Sequence, residues 1–337
     1  QVSFWLRALA VTPPRPTFYS AAMSVAAALD TSGVAVITGG ASGFGFEVAQ
    51  RLAAQGMRLA ILDVSTKELE VAEPTLRAAG SQGVCCIRCD VTKFEDCEAA
   101  HKAVADAFPG APVSFLFNNA GIMGKRGGKI MEGTHEDWAP IFSVNVFGAM
   151  HIVKAFLPAM VQDGPLPSGK RTFVVTTSSV VGLLNHNIGP YSVSKMAVTA
   201  LCEQLALELE AMGSQAAHIS PHSLHPTVAG TGFLEARDAD GSKHLPAQIR
   251  DFMLKKGIST AASIVDGLFR GLDEGRSYIV VDHELDVPTA QQVARRMEDQ
   301  MSGRRPTKPE QLGFMLLMSG DAKTFKERQK VLQQSRL

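Results

Sequence analysis

The sequence predicts an α/β protein with a Rossmann-like, doubly wound parallel sheet of about seven strands. Short apolar runs rich in β-branched residues alternate about seven times with segments of helical periodicity, and strands separated by helices pair in parallel. The first run, residues 34–38, leads into a glycine-rich turn and then a helix. We expect a single domain in residues 30–284, between a leader at residues 1–29 and a helical, polar C-terminal extension at residues 285–337.

Composition narrows the possible partners. The chain has 337 residues, 45% of them hydrophobic, and its formal net charge is zero. This allows a full core but indicates no basic surface for nucleic acid or an anionic membrane. No run reaches the roughly 18 apolar residues of a membrane span, so we expect no stable membrane insertion. The five cysteines lack the repeated CxxC spacing of a zinc site, so we expect reduced thiols and no metal.

The first 29 residues have an unusual composition. They contain two Arg and several Ser and Thr, but no Lys and no acidic residue, which is typical of a mitochondrial transit peptide. A disordered leader, or translated sequence upstream of a start at Met23, fits equally well. We expect a cytoplasmic protein. The alternative, if residues 1–22 are a transit peptide, is a mitochondrial location.

The glycine-rich turn at residues 38–45 predicts a phosphate site. Gly39 allows a sharp turn, while Gly43 and Gly45 remove side chains where the backbone approaches a pyrophosphate and where the helix packs on the strand. The following helix presents free N–H groups and a favourable dipole to the phosphates. The residues of the turn expected to bind the cofactor are Gly39, Ser42, Gly43, Phe44 and Gly45.

The next strand favours NAD over NADP. It ends at Asp63, about twenty residues after the glycines, where a carboxylate can accept hydrogen bonds from the adenosine ribose and would repel a 2′-phosphate. Val64 and Ser65 carry no positive charge. The alternative is that Asp63 caps the following helix, and the two roles are compatible.

Two further strand ends carry small polar turns, and open α/β sheets bind ligands at such ends. Asp90 follows the third strand and could cap the next helix or lie near the adenine, together with Val91. Asn119, Ala120 and Gly121 follow the fourth strand.

A tyrosine and a lysine four residues apart predict acid–base chemistry. In a helix, Tyr191 and Lys195 share one face, and the ammonium would lower the pKa of the phenol toward the working pH. Ser178 and Ser179 follow a β-branched strand and could hold a substrate oxygen. Asn145 is a poor interior residue for the helix predicted at 137–160. It is either a functional group or a buried amide whose hydrogen bonds are satisfied.

The chain resembles the short-chain dehydrogenase/reductase family from about Gly33 to Asp282. Residues 38–45 fit its TGxxxGxG motif, residues 118–121 fit its NNAG motif, and the catalytic tetrad falls in the same order. The resemblance implies hydride transfer between a carbinol carbon and a nicotinamide. By this resemblance, Asn145 would hold a relay water and Ser179 would position the substrate. Tyr191 would be the acid/base, and Lys195 would lower the pKa of Tyr191 and hold the nicotinamide ribose. Ser178 is the second choice for the serine.

Two departures from the family pattern stand near the end of the domain. Pro226 is followed by Thr227 instead of glycine, although Ala229 can offer its backbone to the nicotinamide amide and Thr231 stands at the expected threonine. Residues 283–284 replace a glycine pair, which puts the common tetramer in doubt. We expect a homodimer through the two helices predicted at 137–160 and 191–212.

These residues together predict an NAD-dependent oxidoreductase that interconverts a small-molecule secondary alcohol and a ketone, or a primary alcohol and an aldehyde. The alternative is a non-catalytic NAD-binding sensor or scaffold. Residues 232–258 have the mixed character of a lid. The apolar residues expected to line the substrate pocket are Leu183, Leu184, Ile188 and Phe233.

Overall fold

The computed structural model describes residues 27–124, 130–186, 188–227, 229, 260–282, 288–305 and 309. Within them, one sheet contains seven strands in the order β3-β2-β1-β4-β5-β6-β7, and every neighbouring pair is parallel. The predicted doubly wound sheet is confirmed. The strands are β1 (Val34–Thr38), β2 (Arg58–Asp63), β3 (Val84–Arg88), β4 (Val113–Asn118), β5 (Thr172–Thr177), β6 (Ile219–Pro226) and β7 (Tyr278–Val281).

Helices cover both faces of the sheet, and this explains why the central strands are apolar throughout. All five residues of β1 are buried, because alternate side chains enter two separate cores. One core is centred on Ile37 and Phe117, and the other on Val36 and Leu116. The helices are α1 (Gly43–Ala54), α2 (Thr66–Ala78), α3 (Phe94–Ala107), α4 (His135–Phe142), α5 (Ala149–Asp163), α6 (Gly189–Ala211), α7 (Ala261–Asp273) and α8 (Thr289–Met301).

The strand order reverses between β1 and β4. The chain builds outward from β1 to β3 and then returns to place β4 on the other side of β1. Ligands of open α/β sheets bind beyond the carboxyl ends of the strands at such a reversal. The glycine turn after β1 and the polar turn after β4 therefore lie at the same edge of the sheet.

The helix predicted at 137–160 differs in an informative way. It is α4, then a π-helical segment at Ser143–Gly148, then α5. Asn145 lies inside the π-helical segment, and such bulges occur frequently at functional sites. The helix is therefore irregular at Asn145, the residue that we expected to be poor in a regular helix interior.

The same helical stretch, His135–Asp163, is long and apolar enough to cross a membrane, with a mean hydropathy of 1.5 over its most apolar 18 residues. A core helix of an α/β domain has the same character. A third of that window is buried inside the fold, and Ile152 and Phe156 are fully buried in the second core.

Several predicted segments lie wholly or partly outside the described residues. They include nearly all of the leader, the lid proposed at 232–258, and most of the C-terminal extension apart from α8. Among the residues that the structure describes, no group of three or more His, Cys, Asp or Glu side chains could hold a metal ion.

Candidate active site

The glycine turn is packed so tightly that Gly39 and Gly45 have no room for a side chain. Gly39 and Gly43 have positive φ angles of 59° and 54°, which glycine adopts without steric cost. A Cβ atom on Gly45 would overlap the carbonyl group of Gly39, and one on Gly39 would lie 3.2 Å from the Cα atom of Ala120. Ser42 precedes the first turn of α1, where the N–H groups of Gly43, Phe44 and Gly45 lack intrahelical acceptors. The turn therefore offers backbone donors at a bare surface.

Asp63 joins this turn to the end of β2. Its carboxylate accepts hydrogen bonds from the Ala41 N–H at 3.2 Å and from the Ser65 N–H at 3.1 Å. Ser65 is the residue that caps α2, because its hydroxyl accepts from the Glu68 N–H. Asp63 is therefore not the helix cap, and its carboxylate lies between the glycine turn and the strand tip.

Asp90 and Val91 form the turn after β3. The Asp90 carboxylate accepts from the N–H and hydroxyl of Thr92 at 3.1 and 2.7 Å. Burial raises the pKa of Asp90, but these bonds and nearby cations outweigh it, so the net shift is downward. The helix cap of α3 is Lys93, not Asp90. The Val91 carbonyl lies 2.9 Å from the Nδ1 atom of His151, which ties this turn to α5.

Asn119 connects the ends of three strands. The hydroxyl oxygen of Thr38 accepts from the backbone N–H of Asn119 at 2.9 Å and of Ala120 at 3.0 Å. The Asn119 side chain donates to the Thr38 carbonyl at 3.2 Å and accepts from the Thr177 hydroxyl at 3.1 Å. Because these bonds link β1, β4 and β5, they fix the position of the glycine turn relative to the region around Tyr191.

Tyr191 and Lys195 lie in the first two turns of α6, and both are buried. The Lys195 ammonium donates to the Thr177 carbonyl at 2.8 Å and lies 5.9 Å from the centre of the Tyr191 ring. Burial lowers the pKa of Lys195 from 10.5 to about 8, because the ammonium is more costly to desolvate than the amine. The shared helix face that the spacing predicts is present.

The pKa of Tyr191 differs from the sequence-based expectation. Burial raises it from 10.0 to about 12, although a hydrogen bond with the Ser179 side chain acts in the opposite direction. Removing the phenolate from water therefore outweighs its favourable contacts in the protein alone. Residue spacing shows which groups are neighbours but gives no measure of desolvation.

Asn145 and Gly121 close the other side of this corner. The Asn145 side chain accepts from the Ile122 N–H at 2.8 Å and donates to the Ile122 carbonyl at 2.9 Å. It also donates to the Ser194 hydroxyl at 3.0 Å, which in turn donates to the Tyr191 carbonyl at 2.8 Å. A Cβ atom on Gly121 would lie 3.2 Å from the Asn145 Oδ1 atom and 3.4 Å from the Lys195 Nζ atom. Asn145 is thus a satisfied buried amide that also borders Lys195.

The two adjacent serines point to different places. The Ser178 hydroxyl donates to the Lys195 carbonyl at 2.9 Å and lies 2.8 Å from the Thr199 hydroxyl, so it anchors α6 to the sheet. The Ser179 side chain caps the short 3₁₀ turn Val180–Gly182 through a 3.3 Å bond from the Val181 N–H. It also hydrogen-bonds with Tyr191. The geometry therefore brings Ser179, and not Ser178, to the phenol.

The segment after β6 is described only in part. The Thr227 N–H donates to the Val281 carbonyl at 3.0 Å, so the residue after Pro226 still pairs with β7. Ala229 is buried against the first core, whereas Thr231 and Phe233 lie outside the described residues. Of the expected pocket wall, Leu184 is buried and Leu183 is half-buried. Near the phenol, an apolar cluster contains Val180, Val181 and Tyr191, with Met123, Ile188 and Val280 packed against it.

Sequence reasoning missed two polar residues of this corner. Ser194 was detectable in principle, because it lies one helical turn after Tyr191. His225 gave no comparable signal. It is fully buried on β6, and its Nδ1 atom lies 3.0 Å from the carbonyl oxygen of Ser179.

A bare glycine turn, a carboxylate held at the tip of β2 and a buried Tyr–Lys pair lie at one edge of a parallel sheet, an arrangement typical of nucleotide-binding oxidoreductases. A sequence profile of the family described as short chain dehydrogenase matches residues 33–240. The chain therefore belongs to the short-chain dehydrogenase/reductase family.

Individual relatives agree with this assignment. The 2-(R)-hydroxypropyl-CoM dehydrogenase of Xanthobacter autotrophicus is 30% identical over 253 residues, which are 74% of this chain and 94% of that protein. A short chain dehydrogenase/reductase from Burkholderia phymatum in complex with NAD has 33% identity and a TM-score of 0.67, covering 83% of this chain and 98% of the other. An alcohol dehydrogenase from the archaeon Thermococcus sibiricus complexed with 5-hydroxy-NADP has 25% identity and a TM-score of 0.57, covering 74% and 94%. These structures include complexes with both types of nicotinamide dinucleotide.

Proposed function

We propose that this protein is an NAD-dependent oxidoreductase that interconverts a secondary alcohol and a ketone, or a primary alcohol and an aldehyde, with Tyr191 as acid/base. The observation that carries the proposal is the shared location of four side chains. Ser179 hydrogen-bonds with Tyr191, while Lys195 and Asn145 both border Gly121 at the carboxyl end of β4. This corner is connected through Asn119 to the glycine turn of β1.

The residues of the cleft fit a dinucleotide. The turn at Gly39, Gly43 and Gly45 would hold the pyrophosphate, because Gly39 and Gly45 have no room for a Cβ atom and the start of α1 offers N–H groups to an anion. Asp63 and the turn at Asp90 and Val91 would hold the adenosine part. The remaining residues proposed to contact NAD are Ser42, Phe44, Asn119, Ala120, Gly121, Tyr191, Lys195, Pro226, Ala229 and Thr231.

Each side chain of the corner has a distinct role in the proposed reaction. A bound NAD supplies the hydride acceptor. Tyr191 removes the hydroxyl proton of the alcohol, and the Ser179 hydroxyl positions the same oxygen by a hydrogen bond. The charge of Lys195 lowers the cost of the phenolate and can contact the nicotinamide ribose. Asn145 fixes the backbone at Ile122 and is the proposed holder of a relay water.

Burial makes the charged forms of Tyr191 and Lys195 costly. The pKa of Tyr191 is about 12 and that of Lys195 about 8 in the protein alone. A phenol at that value is a poor base at neutral pH, so efficient catalysis requires further positive charge near it. The oxidised nicotinamide carries such a charge, which supports proton removal by Tyr191 after NAD has bound.

The preference for NAD rests on Asp63. Its carboxylate is held at the turn by the Ala41 and Ser65 N–H groups, where it would accept from ribose hydroxyls and repel a 2′-phosphate. The apolar cluster around Tyr191 favours a substrate with a hydrophobic part. We place the protein in the cytoplasm, with the mitochondrion as the alternative if residues 1–22 are a transit peptide.

A homodimer through the helical stretch α4–α5 and through α6 is part of the proposal. Both present large apolar side chains to solvent in the single chain, which is typical of a surface that another protein covers. These side chains are Phe147, Met150, Leu207 and Met212, which are 40% to 62% exposed.

A substrate panel with NAD tests the proposal. We expect steroid, fatty or cyclic secondary alcohols to produce the absorbance of reduced nicotinamide, and titration to show tighter binding of NAD than of NADP. Tight NAD binding with no absorbance change across the panel of alcohols and ketones would instead indicate the non-catalytic sensor. Tighter binding of NADP would contradict the role of Asp63.

A further inference from the structure

His225 occupies a special position between the sheet and Ser179. The regular ladder between β5 and β6 ends with the bond from the Ser178 N–H to the Leu224 carbonyl at 2.8 Å. One residue further along both strands, the side chain of His225 replaces the backbone as the link, because its Nδ1 atom lies 3.0 Å from the Ser179 carbonyl oxygen. The imidazole is fully buried and stacks on the Tyr278 ring at 6.0 Å.

The partners of the imidazole determine its tautomer. A carbonyl oxygen can only accept, so Nδ1 must carry the proton that bonds Ser179. Burial lowers the pKa of His225 to about 4, so the ring is neutral at physiological pH and Nε2 is an acceptor. The Ser223 hydroxyl lies 2.8 Å from Nε2, closer than its other acceptor, the Ser277 carbonyl at 3.3 Å, and can supply that proton. The direction of donation is therefore from Ser223 to His225 and from His225 to Ser179.

This donation completes the bonding of the Ser179 carbonyl. The same oxygen accepts from the Gly182 N–H at 2.8 Å, so its two lone pairs are used by one bond from the 3₁₀ turn and one from β6. By contrast, the bonds of the Ser179 hydroxyl to its backbone neighbours are long, at 3.3 Å from the Val181 N–H and 3.4 Å to the Pro226 carbonyl. The Ser179 carbonyl is therefore held by shorter hydrogen bonds than those between the hydroxyl and these two backbone groups.

We propose that His225 is a positioning residue, which donates from Nδ1 to the Ser179 carbonyl and thereby holds the Ser179 hydroxyl against Tyr191 and the substrate oxygen. The inference rests on the proposed function, since it assigns a support to the serine of that site. In this role His225 acts only through Ser179. A displacement of a reacting group by about 1 Å can cost up to a hundredfold in rate, so a modest rotation of this peptide has a measurable effect.

Asparagine and glutamine give a matched pair of variants. The amide nitrogen of His225→Asn lies two bonds from Cβ, as Nδ1 does, and can still donate to Ser179. The amide of His225→Gln extends one bond further, toward the Nε2 position, and cannot. We expect His225→Gln to lower kcat about tenfold and His225→Asn to retain kcat within about threefold, while the Kd for NAD, measured by fluorescence, changes little in either.

The Ser179→Ala background separates positioning from general damage. If His225 acts through Ser179, then His225→Gln should change kcat by less than about twofold once the serine hydroxyl is gone, because coupled sites are not additive. An equal loss in both backgrounds, or equal kcat values for the Asn and Gln variants, would overturn the inference. Thermal melting of each variant verifies that it is folded.

A third variant covers the case in which His225→Gln does not fold. Ser223→Ala leaves His225 in place but removes the donor to Nε2, so we expect a severalfold loss of kcat that disappears in the Ser179→Ala background; an unchanged kcat would overturn the inference. Parallel assays of the unmodified enzyme separate the two proposals. If the unmodified enzyme transfers hydride and the variants lose no kcat, only the role of His225 is refuted. If the unmodified enzyme transfers no hydride, both the proposed function and this inference are refuted.

Discussion

The two halves of the cleft are built from different kinds of contact. The glycine turn after β1 offers backbone N–H groups, and its defining property is the absence of side chains where Gly45 meets Gly39. The corner at β4, β5 and α6 depends on buried side chains that hydrogen-bond one another, such as Asn145 with Ser194 and Thr177 with Asn119. We therefore expect dinucleotide binding to depend mainly on backbone shape, and the proposed chemistry to depend on individual polar atoms.

The difference predicts which properties a substitution changes. A side-chain change in the polar corner should lower kcat while NAD binding is largely kept, because the turn after β1 retains its shape. A change at the turn should alter cofactor affinity or preference first. Variants that do the opposite would break the distinction.

Lys195→Met should show a large effect in the corner. The variant loses the charge that supports a phenolate and the bond to the Thr177 carbonyl, so we expect kcat to fall about a thousandfold. Steady-state assays measure kcat, and calorimetry measures the Kd for NAD. A kcat within tenfold of the unmodified enzyme would contradict the role of the ammonium.

The two adjacent serines provide a matched test. Ser179→Ala removes the hydroxyl beside Tyr191 and should lower kcat about a hundredfold. Ser178→Ala removes bonds to the Lys195 carbonyl and Thr199, so it should lower the free energy of unfolding by about 1 kcal/mol with a much smaller change in kcat. The reverse pattern would assign the substrate contact to Ser178.

Asp63→Ala tests the other half of the cleft. Loss of the carboxylate removes the repulsion of a 2′-phosphate, so the ratio of NADP to NAD affinity should rise about tenfold with kcat at saturating cofactor nearly unchanged. Titration of both dinucleotides measures the ratio. An unchanged ratio would mean that cofactor preference is set elsewhere in the turn.

The buried charges of the corner predict an unusual dependence of stability on pH. The pKa of Lys195 is about 8 in the folded protein, whereas the ordinary pKa of lysine is 10.5. Between these values the unfolded chain binds more protons, so the contribution of Lys195 to stability rises with pH. Tyr191 acts in the opposite direction between pH 10.0 and about 12, because its folded pKa is raised and the unfolded phenol ionises first.

Urea unfolding from about pH 7.5 to about pH 10 measures this effect. The free energy of unfolding of the unmodified protein, minus that of Lys195→Met, should increase across this window. A flat difference would indicate that the ammonium is not desolvated as its burial implies.

Patterns with a fixed period or spacing were predictable from the sequence. The seven parallel strands and the bare turn at Gly39 and Gly45 follow from apolar periodicity and glycine placement. The shared face of Tyr191 and Lys195 follows from a spacing of four. These features depend on local geometry, which a single sequence records directly.

Features that depend on packing between distant segments were not predictable. The π-helical segment around Asn145 arises where that helical stretch meets Ile122 and α6. The link from His225 to Ser179 joins residues 46 positions apart, and the high pKa of Tyr191 reflects burial by several elements. None of these leaves a periodic signal in the chain.

The most direct test is the turnover of Tyr191→Phe on a substrate that the unmodified enzyme oxidises with NAD. The variant keeps the ring and loses only the hydroxyl that moves the proton, so kcat should fall at least a thousandfold while the Kd for NAD stays within about threefold. Retention of most of the turnover, in a variant that is folded and binds NAD, would contradict the assignment of Tyr191 as the acid/base.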